Sequence, residues 1–67
     1  MEEVFTGDVV RIEATYCFIA RDGLGDRVYA HRDNVGEAWS ALAYRKRVCF
    51  RLGFTFGGPT AFDVHPE

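Results

Sequence analysis

Apolar and polar positions along this chain alternate in short runs broken by turn residues, at intervals that suit strands rather than helices. The spacing predicts a first strand from about Phe5 to Ile12, with Thr6-Gly7 at its start and Glu13-Ala14-Thr15 as the turn out of it. Tyr16 to Arg21 is the second strand. Asp22-Gly23-Leu24-Gly25-Asp26 reads as a hairpin loop, because glycine supplies positive φ and aspartate bonds its own backbone. Arg27 to His31 follows as the third strand. Arg47 to Leu52 is the fourth, with Val48, Phe50 and Leu52 on one face and Cys49 and Arg51 on the other. Gly53 to Pro59 is expected to be a mobile loop, and Ala61 to His65 closes the chain as a fifth strand.

Residues 33–47 break the alternation. Glu37-Ala38-Trp39-Ser40-Ala41-Leu42-Ala43-Tyr44 combines helix formers with apolar positions at helical spacing. So short a stretch does not hold a helix by itself, and the segment is read as a long loop with room for one short helical turn. The whole pattern predicts a single domain over residues 1–67: an all-β, five-stranded antiparallel barrel with that long loop between strands 3 and 4. Closure removes the exposed strand edges that invite aggregation. Val9, Ile19, Val28, Ala30, Val48, Phe50 and Val64 are its expected core.

Strand alternation has a second consequence. If Cys17 and Ile19 face the core with Val28 and Ala30, then Tyr16, Phe18, Tyr29 and His31 share the opposite, solvent face of the second and third strands. Burial does not explain three rings and an imidazole there. Flat exposed rings on a small sheet are a usual platform for unpaired bases. The alternative is that they pack against one another or against a partner domain. His31 stacks on a base or hydrogen-bonds its edge in this reading, and Arg11 and Arg32 flank the cluster as phosphate-binding or stacking residues. Trp39 either stacks on a base or pins the long loop to the barrel. Phe54 and Phe56 extend the platform from the loop before Gly57-Gly58, with one of the two expected to fold inward and Phe56 counted with the site. Arg45-Lys46-Arg47 reads as a solvated loop end that attracts phosphate only if it faces the groove.

Composition tempers this picture. A formal net charge of -2 counts against a strong nucleic-acid binder, because phosphate contacts supply most non-specific affinity. Seven of the eight basic residues are arginine, however, which stacks on bases as well as pairing with phosphate. Cys17 and Cys49 match no metal-ligand spacing and are expected to be free thiols filling strand positions, a disulfide between neighbouring strands being the alternative. The acidic N-terminus is not that of a signal peptide, and no apolar stretch is long enough to span a bilayer. A cytoplasmic protein, or a domain of one, without membrane contact is therefore expected. No nucleophile stands at motif spacing from a base, and no glycine-rich phosphate loop opens a helix. Neither enzyme activity nor a cofactor, metal or small-molecule substrate is expected.

Taken together, the residues resemble a cold-shock domain over nearly the whole chain. Thr6-Gly7-Asp8-Val9 is similar to that family's opening strand, Tyr16-Cys17-Phe18-Ile19 to its first ribonucleoprotein motif and Val28-Tyr29-Ala30-His31 to its second. Trp39-Ser40-Ala41-Leu42 aligns with a loop that carries an exposed aromatic in the family, Lys46-Arg47-Val48-Cys49-Phe50 with the fourth strand, and Gly58-Pro59-Thr60-Ala61 with Gly-Pro-Gln-Ala. The resemblance implies an OB-fold barrel that binds single-stranded RNA or DNA, with Tyr16, Phe18 and Tyr29 as stacking residues, and an RNA-chaperone role in stress response. The departures matter as much. Val10-Arg11-Ile12 stands where the family has Lys-Trp-Phe, Arg32 replaces a Phe, Cys17 replaces a Gly, and the turn at Ala14-Thr15 is shortened. These losses predict weak affinity and leave open a rival: a protein-interaction or dimerisation module with a degenerate nucleic-acid site, in place of a monomeric binder.

Overall fold

The computed structural model describes residues 3–67; Met1 and Glu2, the start of the acidic N-terminus, lie outside the described residues. The strands are β1 (Phe5–Ile12), β2 (Tyr16–Arg21), β3 (Arg27–His31), β4 (Arg47–Thr55) and β5 (Gly58–Pro66), closed into a barrel in the order β1-β2-β3-β5-β4. An OB-like all-β barrel is thus the fold. Its interior contains every core position expected from the alternation, joined by Cys17, Val35, Leu42 and Ala61. Among the described residues no helix is long and apolar enough to cross a membrane.

The barrel is not wholly antiparallel. β1 pairs antiparallel with β2 and β4, β2 with β3, and β4 with β5, whereas β3 meets β5 in parallel through Tyr29 and Thr60. Parity requires this, since directions cannot alternate around a closed ring with an odd number of strands. The crossover that a parallel neighbour demands is the segment between β3 and β4, with its helix α1 (Arg32–Val35) and the 3-10 helix Gly36–Ala41. Helical structure therefore begins earlier than the 37–44 stretch that the composition favoured. The His31 imidazole caps α1 by accepting the Asp33 N–H at 3.1 Å, and Gly36 at φ 71° ends it. Val35 and Leu42 plug the barrel from this connection.

The expected mobile loop at Gly53–Pro59 does not exist. β4 continues to Thr55 and β5 begins at Gly58, with Phe56-Gly57 as a tight turn and Gly58 at φ 106°. Pro59 pairs with Phe54 before β5 reaches β3, a position with a neighbour on one side only, where proline is tolerated.

Close strand approach explains one glycine. Gly7 is buried where β1 crosses β2, and a Cβ there would collide with the Ala20 carbonyl oxygen and come within 2.9 Å of Ile19 Cγ2. Backbone cannot give way as a flexible side chain can. Gly7→Ala is expected to cost about 1 to 3 kcal/mol, the usual penalty of overpacking, read as a lower urea midpoint with an unchanged slope.

Candidate nucleic-acid interface

β2 and β3 place the four sequence-identified rings together because they pair without a shift: Tyr16 opposite His31 and Phe18 opposite Tyr29, with Cys17 opposite Ala30 between them. Cys17, Ile19, Val28 and Ala30 are fully buried, so the alternate residues must face outward. Tyr29 is the hub. Its ring lies 5.8 Å from Tyr16, 5.9 Å from Phe18 and 6.4 Å from His31, while Tyr16 and Phe18 meet edge to face at 5.8 Å. These contacts fix the rings as a half-buried, preformed surface. His31 is held by its capping bond, which uses Nδ1 as acceptor and leaves Nε2 as the N–H donor of the neutral ring.

The surface continues into a cleft of about 260 Å³ lined by Phe18, Tyr29, Thr55, Gly57 and Thr60. Thr60 is buried, and its hydroxyl is satisfied by Thr55 Oγ1 at 3.1 Å. The threonine pair was not foreseen, because both residues belong to the hairpin that replaces the expected loop. Phe54 and Phe56 both point outward, 77% and 113% exposed, so neither folds inward as expected. With Thr55 they line a second, shallower depression, and Phe56 stands at the hairpin tip beside the cleft residue Gly57.

The flanking residues differ from expectation in degree. Arg11 lies opposite Phe18 after a bulge at Val10, but its guanidinium donates to Glu13 at 2.8 Å. That hydrogen bond, followed by the Glu13 charge, raises its pKa above the ordinary value; the cation persists but is already paired. Arg32 is exposed beside His31 and, among the described residues, forms no side-chain ion pair. Trp39 is half-buried in the 3-10 helix and packs against the core. Arg47, from the basic run, is committed elsewhere: it binds Asp22 at 2.6 Å, Asp8 at 2.9 Å and Glu67 at 3.0 Å. The Asp22 carboxyl is held well below the usual carboxylate range by hydrogen bonds from Arg47 and Thr6.

No protein-family model matches the chain, and no curated protein matches it. The site offers an aromatic surface with the Arg32 guanidinium beside it, hydroxyls along a cleft, and exposed rings on the far side.

Proposed function

We propose that this barrel is a divergent cold-shock-type domain that binds single-stranded RNA or DNA by base stacking, with an RNA-chaperone-like role under stress as the wider reading. The observation that carries it is the contiguous ring cluster of Tyr16, Phe18, Tyr29 and His31, which is fixed by its own edge and face contacts and opens into a cleft. Every base has a π-face, so such a surface accepts single strands with little sequence preference. Phe56 extends the platform past the cleft, Arg32 meets a phosphate, and the Nε2–H of His31 donates to a base or phosphate oxygen. Trp39 contributes by holding the crossover in place.

Electrostatics supports a stacking-dominated mode. Arg11 is paired to Glu13 and Arg47 to three carboxylates, so among the described residues Arg27 and Arg32 are the exposed cations without an ion pair on and beside the outer face of β3. Anisotropy titrations of labelled oligothymidine and oligouridine are expected to saturate. The slope of log K against log salt should be no steeper than about −1.4, two phosphates at about 0.7 each. A slope beyond about −3 would mean that several more cations are engaged and that charge, not stacking, drives binding.

The second reading, a protein-contact or dimerisation face, is favoured by one observation: Phe54 and Phe56 expose apolar surface that a lone small domain does not need. Absence of oligonucleotide binding together with a concentration-dependent dimer in sedimentation would establish it instead.

A further inference from the structure

Cys49 carries chemistry that neither the barrel core nor the ring cluster uses. It is a free thiol, half-buried on the outer face of β4, with Val48 and Phe50 on either side turned into the core. A bulge in the β4–β5 ladder sets Asp63 and Val64 against the single residue Phe50, and Asp63 adopts φ 52° there. Val64 thereby points inward, and His65 comes directly opposite Cys49. The thiol Sγ lies 2.9 Å from His65 Nε2, and His65 Nδ1 lies 2.9 Å from the Asp63 carbonyl oxygen.

The third group decides the direction of the proton. A carbonyl oxygen only accepts, so Nδ1 carries the hydrogen and donates it to Asp63; in the neutral ring Nε2 is then the bare acceptor aimed at the thiol. This is a nucleophile, a base within reach and a group that orients the base. Two guanidiniums occupy the same strand face: Arg47, bound to Asp8, Asp22 and Glu67, and Arg51, bound to Asp63. Thr6 is the β1 residue opposite Cys49. Cys17 has none of this, being fully enclosed, and burial pushes its thiol pKa up to about 11.

We propose that Cys49 and His65 form a thiol–imidazole pair that makes Cys49 a site of exchange with low-molecular-weight disulfides. The Cys49 sulfur attacks one sulfur of the disulfide as its proton passes to His65 Nε2. A new S–S bond forms, the S–S bond of the reagent breaks, and the departing thiolate takes the proton from the imidazolium. Cys49 ends as a mixed disulfide and half of the reagent as a free thiol. An ordinary thiol is only a few per cent thiolate at neutral pH, and nucleophilicity falls as thiolate is favoured. The two effects together leave a net gain of about threefold at neutral pH.

Treating the folded full chain with oxidised glutathione at neutral pH, then digesting it and weighing the peptides, gives a rate for each cysteine. One adduct is expected, at Cys49, with Cys17 unmodified, and His65→Gln should slow the reaction about threefold while the far-ultraviolet dichroism is kept. A change of less than twofold in His65→Gln, or Cys17 reacting as fast as Cys49 in the folded chain, would overturn the assignment. Should His65→Gln fail to fold, the parent chain decides alone. Unfolding in concentrated urea separates His65 from Cys49, so Cys49 must react about threefold faster folded than unfolded, and an equal or slower folded rate refutes the pair.

Discussion

Phe50→Ala is expected to lose about 3 to 5 kcal/mol of folding stability, the range for truncating a buried phenylalanine. Phe50 heads the fully buried side chains by volume and sits where two ladders meet, paired in register with Phe5 on β1 and flanked by the β4–β5 bulge. Its ring stacks against that of Phe5 at 6.1 Å, and Arg21 lies over the outer ring at 5.1 Å. Truncation removes the shared centre of β1 and β4, and the surrounding closed barrel cannot collapse freely into the space. A chain of 67 residues has a total stability of about 3 to 10 kcal/mol, so the loss takes about a third of it at the least and all of it at the most. Urea denaturation followed by circular dichroism measures this directly. A loss below about 1 kcal/mol would mean that the core is not organised around this ring. Phe50→Leu, which keeps more of the volume, should fall between parent and Phe50→Ala.

Such a core was legible because alternation is a local property. The limits of β1, β2 and β3 and the seven expected interior residues follow from which positions are apolar and which residues turn the chain. The fourth and fifth strands were cut short for the opposite reason: Gly57-Gly58-Pro59 looks like a breaker, yet two of those residues lie inside β5, where only one side needs a hydrogen-bonding partner. The parallel β3–β5 seam was implied by an odd strand count in a closed ring, not by any residue. The ring cluster was legible for the same reason as the core, being its mirror image on β2 and β3.

What alternation does not carry is long-range register. Cys49 and His65, or Arg47 and its partners Asp8, Asp22 and Glu67, stand far apart in sequence and meet only because particular residues face each other across the barrel. The ion pair that occupies Arg11 needed only Glu13, two residues away, and a strand pattern read for faces alone passes over it.

The second large effect is on binding. Phe18→Ala should weaken oligonucleotide affinity by about 1 to 3 kcal/mol, the worth of one stacked base, or about fivefold to 150-fold. Phe18 is the cluster ring that both touches Tyr16 and Tyr29 and lines the cleft with Thr55 and Thr60, so its loss opens the junction between the stacking surface and the cleft. It is half-buried and faces away from the core, so the unfolding midpoint should move far less than in Phe50→Ala. Phe54→Ala is the control: an aromatic with greater exposure, in the neighbouring depression and outside the cluster, whose removal should leave affinity nearly unchanged. The pair of variants separates the two functional readings. If Phe18 stacks a base, Phe18→Ala lowers affinity and leaves the sedimentation behaviour alone. If the ring face and the exposed Phe54 and Phe56 beside it are instead a protein contact, Phe18→Ala and Phe54→Ala both weaken the dimer and no oligonucleotide signal exists to lose. Equal loss in Phe18→Ala and Phe54→Ala would point to non-specific apolar adsorption and sink the stacking mechanism, because only a geometric site distinguishes one exposed phenylalanine from another.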